Sequence, residues 1–163
     1  QKRITYYPSN QIPVIKMNNN QLTGDLVKWG YRLFDNKLVI NARSETLNQK
    51  ALFKNDLINH RCIIPATGFY EWDEHKQRFS FENPQHKLLF MAGIYREFNN
   101  QKEVAIITTN ANESMENIHS RMPLIFNHLQ MMEWLENKNV TSLLKIKPES
   151  LIITSGNLQT SLF

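Results

Sequence analysis

Residues 61–72 read R-C-I-I-P-A-T-G-F-Y-E-W, and the fold class turns on this stretch. Ile63, Ile64, Phe69, Tyr70 and Trp72 are β-branched or aromatic, the side chains that suit a pleated, buried surface. Pro65 and Gly68 punctuate the run, as at a bulge or a close approach of two backbones. The stretch therefore predicts a strand running through a core. Within it, Glu71 lies between Tyr70 and Trp72. One reading has the rings desolvate the carboxyl and raise its pKa toward the range useful for proton transfer. The other has the strand alternate, so that Glu71 faces water beside Asp73 and Glu74.

Working outward, the flanking sequence is mostly short strands. Toward the start, Ile4–Tyr7 and Ile12–Met17 read as strands separated by Pro8-Ser9-Asn10, and Gly24 closes a turn after the polar patch at Asn18–Gln21. Leu26–Leu33 alternates, with Val27, Trp29, Tyr31 and Leu33 on one face. Leu38–Ala42 is an apolar strand, and Ser44 or Thr46 caps a helix predicted from about Leu47 to Ile58. Toward the end, Arg78–Glu82, Leu88–Phe98, Val104–Thr109, Arg121–Asn127 and Leu151–Thr154 read as strands. A short helix is predicted up to Ile118, and an amphipathic one over Leu129–Asn137. The sum is seven to nine strands against two or three helices: an α+β, β-predominant fold with a curved, barrel-like sheet, mostly antiparallel because the connections are short.

A chain of 163 residues is one domain's worth. Its formal charge of +4 permits an anionic partner without demanding one. A single cysteine, Cys62, excludes an internal disulfide and a cysteine-based zinc site, and fits a reducing cytoplasm. No apolar run approaches the ~20 residues of a membrane-spanning helix, so no membrane partner is expected.

Two further stretches carry chemistry. Asn41 and Arg43, in V-I-N-A-R-S-E-T at 39–46, lie two apart at a strand end and so point the same way. An amide beside a guanidinium suits a phosphate or a reacting group. As a plain surface turn, the same residues would pair Arg43 with Glu45. His119 and Arg121, in H-S-R-M-P at 119–123, share a face if the chain is extended there, and histidine is the commonest acid/base side chain. Glu71 and His119 would supply two ligands to a metal, but a third with sensible spacing is missing, so neither metal nor cofactor is expected.

Six motifs together resemble the SOS response-associated peptidase (SRAP) family: K-W-G-Y at 28–31, I-N-A-R-S-E-T at 40–46, R-C-I-I-P-A-T-G-F-Y-E-W at 61–72, F-M-A-G-I-Y at 90–95, I-I-T-T-N-A-N at 106–112 and H-S-R-M-P at 119–123. They occur in the family's order and span most of the chain. The resemblance implies a mixed, barrel-like domain that binds single-stranded DNA and links covalently to abasic sites. In that family an N-terminal cysteine traps the sugar aldehyde through its α-amine and thiol. By the same resemblance Glu71 matches the acid/base glutamate, His119 the catalytic histidine and Asn41 the residue orienting the attacking group. Arg43 and Arg121 match arginines that hold DNA phosphates. Trp29 matches an aromatic near the DNA, and Thr108 and Pro8 line the same groove.

The start of the sequence departs from the family pattern. Family members begin Met-Cys-Gly-Arg, whereas this sequence begins Gln1-Lys2-Arg3, and its Ile4–Pro8 resembles a segment some tens of residues further in. The reading is then of one SRAP-like domain over 1–163 that lacks the family's first strand, its helix and the nucleophile. The closing segment Ser155–Phe163 is shorter than usual, and Gln159–Phe163 resembles the short peptide by which repair proteins dock on a sliding clamp. Three functions stay open: an abasic-site crosslinking protein, a non-covalent single-stranded DNA-binding module, and a small hydrolase or peptidase using Glu71 and His119. A cytoplasmic monomer is expected.

Overall fold

The computed structural model describes residues 3–155, and the stretch Gln159–Phe163 lies outside them. In chain order the strands are β1 (Gln11–Asn18), β2 (Gln21–Trp29), β3 (Tyr31–Arg32), β4 (Leu38–Val39), β5 (Asn41–Arg43), β6 (Arg61–Ala66), β7 (Phe69–Trp72) and β8 (Arg78–Glu82). They continue as β9 (Leu89–Phe98), β10 (Gln101–Asn110), β11 (Arg121–Pro123), β12 (Ile125–Phe126) and β13 (Ile152–Ser155). Three short helices accompany them: α1 (Lys54–Asn59), α2 (His128–Leu135) and α3 (Val140–Leu143). The expected β-predominant α+β fold is what the chain adopts.

Strands β10, β2, β1, β6 and β9 pair in that order, and β9 pairs back with β10, closing a five-stranded barrel. Most ladders are antiparallel, but β10 pairs in parallel with β2 and with β5, so the sheet is mixed. Two hairpins that build the barrel turn on Asn19-Asn20 and Asn99-Asn100, all four with positive φ. Asparagine tolerates that conformation, and its twist matches that of the strands it joins. The turn after β1 is therefore made by the asparagines, and Gly24 lies inside β2 rather than closing it.

Alternation along the staves sorts the apolar side chains into two cores. Ile12, Val14, Val27, Cys62, Ile64, Met91, Val104 and Ile106 fill the barrel. Ile63, Ala92, Ile94, Ala105 and Ile107 point outward and are covered by Leu57 of α1, by Met131, Trp134 and Leu135 of α2, and by Leu143 of α3. The Trp134 indole is fully buried and donates to the Cys62 carbonyl at 3.0 Å, fixing α2 on β6.

The decisive stretch is two strands, not one. β6 runs in the barrel against β9, and β7 leaves it to join β8 and β13 in a separate three-stranded sheet. Gly68 makes the switch possible. A Cβ there would stand 2.6 Å from the Phe81 carbonyl oxygen, a distance no side chain tolerates.

Five other expectations are corrected. Ile4–Tyr7 is irregular because no described strand lies beside it to complete a ladder. Leu26–Leu33 breaks at Gly30, whose φ of +123° turns the chain into the small β3–β4 hairpin. The helix from Leu47 is instead a series of turns as far as Phe53, followed by the six residues of α1. Leu47 and Phe53 both enter the outer core, yet six residues of α-helix would leave them about 120° apart on its surface. Residues 113–118 likewise form turns rather than a helix, and Arg121–Asn127 changes partner at Leu124, with β11 on β10 and β12 on β9. Helix α2 opens with a capping box between Asn127 and Gln130.

Candidate active site and DNA groove

The C-terminal half of β10 organises one end of the barrel. β5 lies parallel on it, Ile106 to Asn41 and Thr108 to Arg43, and β11 lies antiparallel on its other edge, Thr108 to Pro123 and Asn110 to Arg121. In β5 the middle residue Ala42 is buried while Asn41 and Arg43 are exposed on a shared face, as their spacing predicts. Trp29 supports this strand from behind. Its indole N–H donates to the Ile40 carbonyl at 3.2 Å, and its ring packs on the barrel core. Pro8 is exposed in a turn tied to Trp29, since the Ser9 N–H donates to the Trp29 carbonyl at 2.9 Å.

Arg121 is not a free cation. Its guanidinium makes a two-pronged contact with Glu45, at 2.8 and 2.9 Å, and donates to the Asn110 side-chain oxygen at 2.9 Å. It also donates to the Thr108 carbonyl and hydroxyl at 3.0 and 3.2 Å. Only 16% of its side chain is exposed, and its Nε is buried without a partner. The contact holds the Glu45 carboxyl below the usual carboxylate range, chiefly through the hydrogen bonds from Arg121. Arg43 is 65% exposed and meets Glu45 only at 3.9 Å, so its charge faces solvent. Thr108 is buried and serves Arg121 rather than the surface. Sequence reasoning singled out the two arginines but missed that Glu45 and Asn110 hold one of them. The signal lay in the turn residues Ser44-Glu45, which follow β5 directly.

The same segment places His119. Asn112 is buried and bonds the carbonyls of Pro148 and Glu149 at 3.0 and 3.1 Å, anchoring the turns that lead to it. His119 Nδ1 lies 3.1 Å from both the backbone N–H and the carbonyl oxygen of Arg121, which leaves Nε2 clear of that backbone. That nitrogen stands 3.9 Å from Glu71 Oε1. Glu71 reaches it from the other sheet. On β7 its direct cross-strand neighbour is Phe79, and Phe69 lies two residues back on the same face. Tyr70 and Trp72 point the opposite way, with Arg78 over the Tyr70 ring at 4.4 Å. The rings adjoining Glu71 in sequence therefore do not enclose it, and 27% of its side chain stays exposed. Trp72, which the sequence suits to a buried surface, is instead 44% exposed on that opposite face, at the solvent-facing end of β7.

One end of the barrel thus gathers an acid/base pair, an exposed amide and an exposed guanidinium. Among the described residues no three His, Cys, Asp or Glu side chains gather to hold a metal, and no helix is long and apolar enough to cross a membrane. A family model described as SOS response associated peptidase (SRAP) matches residues 1–154. The chain belongs to the SRAP family. Abasic site processing protein YoqW of Bacillus subtilis strain 168 is 36% identical to it over 156 residues, covering 82% of this chain and 69% of YoqW. Abasic site processing protein YedK of Escherichia coli K12 is 28% identical over 145 residues. The vertebrate SRAP relative HMCES of Gallus gallus, also an abasic site processing protein, is 33% identical over 125 residues, only 37% of its length. Crystal structures of proteins from Bordetella bronchiseptica and Bacteroides thetaiotaomicron superpose with TM-scores of 0.81 and 0.77. Each covers 93% of this chain, and this chain covers 85% and 77% of theirs. At 22% and 23% identity they establish that the SRAP barrel is shared, and nothing finer.

Proposed function

We propose that this protein processes abasic sites in DNA, binding the single-stranded lesion across the barrel end that carries Asn41, Arg43, Glu71 and His119. The reading rests on the Glu71–His119 approach of 3.9 Å at an open surface beside an exposed arginine. It is supported by the names of the relatives at 36% and 33% identity. Arg43 meets the phosphates, and Arg121 holds the groove's wall through Glu45.

The chemistry asked of the pair is proton transfer. An abasic sugar is a cyclic hemiacetal. Opening it removes the proton from the anomeric hydroxyl and delivers one to the ring oxygen, leaving an aldehyde. A base and an acid in contact do both, and the pair then carries the reversed charges for the return. A primary amine adds to that aldehyde and loses water to give an imine. A thiol on the same residue adds its sulfur to the imine carbon while the nitrogen takes up a proton, closing a thiazolidine.

The 163 residues hold one cysteine, and Cys62 cannot play that part. It is fully buried in the barrel, its thiol pushed up to about 12 by burial, and it has no free α-amine. The 163-residue chain should therefore bind abasic single-stranded DNA without a durable covalent product. A form extended by Met-Cys-Gly-Arg and the family's first strand and helix should give one. Denaturing gels of both forms with an abasic oligonucleotide and no added reductant check this. A stable shifted band from the 163-residue chain alone would show that the chemistry has been misplaced.

A further inference from the structure

The barrel has a second open end, built from opposite termini of the same staves. On β10, Lys102 and Thr108 are six residues apart, which separates the two ends by roughly 20 Å of extended strand. At this far end lies a cavity of about 420 Å³ lined by Lys16, Asp25, His60, Tyr95, Glu97 and Lys102, among others. Lys16 occupies the next inward position of β1 after Ile12 and Val14, so its stem continues the barrel core, and 8% of the side chain is exposed. Its ammonium donates to Asp25 Oδ2 at 2.9 Å and stands 4.0 Å from the centre of the Tyr95 ring. Lys102 donates to the same oxygen at 2.9 Å, while Asp25 Oδ1 accepts from the Leu26 N–H at 2.9 Å.

Two ammonium groups thus share one carboxylate oxygen. Each carries three N–H donors and spends one on Asp25, so donors remain beside the cavity and the trio keeps one net positive charge. His60 lies beside them. Its Nδ1 faces Asp56 Oδ1 at 2.7 Å, the Tyr31 hydroxyl holds the other Asp56 oxygen at 2.9 Å, and the imidazole lies against Tyr95 with ring centres 5.0 Å apart. Nε2 is thereby the nitrogen left without Asp56. Glu97 is exposed at the rim and opposes the lysines in sign, but forms no ion pair among the described residues. A buried ammonium with unspent donors is costly until an acceptor meets it, and an oxyanion meets two ammonium groups at once. We propose that this end of the barrel binds a small oxyanion, the chemistry shared by a phosphate monoester and a carboxylate, gripped by Lys16 and Lys102 with His60 beside them.

Titrating the 15N-labelled 163-residue chain with inorganic phosphate, and separately with acetate, at ionic strength matched with chloride tests this. Phosphate, acetate or both should give saturable amide shifts centred on residues 23–26 and 101–103, with a Kd on the order of 1 mM. Whichever of the two saturates identifies the source of the oxyanion. Lys102→Gln, at a half-exposed position, should weaken binding at least about threefold, the loss of one charge-assisted hydrogen bond at a solvated site. Lys16→Met should weaken it about tenfold or more. If that variant does not fold, Lys102→Gln decides alone. No saturation by either anion, an equal response to chloride, shifts centred on Arg43, or undiminished binding by Lys102→Gln would each overturn the proposal.

Discussion

At the scale of single residues, the two arginines that sequence pairs as phosphate contacts separate cleanly. Arg43→Ala should weaken binding of every oligonucleotide alike and reduce the slope of log affinity against log salt by about 1, as for a phosphate contact read without regard to base. Arg121→Ala should act on stability instead. It leaves the Glu45 carboxylate and the Asn110 side chain without their main donor, a loss of about 1–3 kcal/mol visible in thermal unfolding. A binding-only defect in Arg121→Ala would contradict its placement as the groove's wall. Glu71→Gln in the extended, cysteine-bearing form should leave the melting temperature nearly unchanged and slow adduct formation by about 10²–10⁴. His119→Ala should likewise act on rate. Unfolding, or reaction at the parent rate, returns either residue to a structural part. What could be read from sequence here was the identity of the partners. That Glu71 meets His119 required two sheets to be docked, because 48 positions and a change of sheet separate them, and no periodicity reports such a contact.

Elements were legible where one strand keeps one partner. β1, β8, β9, β10 and α2 fall where alternation or helical spacing puts them. The misreadings cluster where a strand changes partner, at Gly30, Gly68 and Leu124, since an apolar run does not record which neighbour it bonds. Gly30 offers a direct check. Alanine there would take up a left-handed φ of +123° and place its Cβ 2.4 Å from Leu38 Cγ. Gly30→Ala should lower stability by about 1–3 kcal/mol and, because Trp29 and Ile40 flank the hairpin, weaken DNA binding as well. Equilibrium denaturation with a parallel binding assay measures both. A neutral outcome would mean that the β3–β4 hairpin is not a support of β5.

For the whole molecule, the cluster at the far end of the barrel joins three staves, because Asp25 of β2 takes Lys16 of β1 and Lys102 of β10. Those bonds, from Lys102 first and then Lys16, lower the Asp25 pKa from its ordinary 3.8 to about 2. A carboxyl depressed by folding stabilises the folded state above its unfolded pKa, and that contribution is lost as pH falls through the folded value. The stability difference between the parent and Asp25→Asn should therefore be constant above pH 4 and close between about 4 and 2. A difference that persists below pH 2 would assign it to packing rather than charge. The other end of the barrel is joined across a similar length of chain. The Arg121–Glu45 contact spans 76 residues, and β5 pairs with the barrel through a parallel ladder on β10. Loop-closure entropy delays contacts of that span, and parallel pairing delays them further. Local hairpins such as β1–β2 and β9–β10 have no such wait. The end of the barrel proposed to take DNA is thus completed late in synthesis: a nascent chain that has not yet delivered Arg121 already holds the five barrel staves but not the wall of that proposed site.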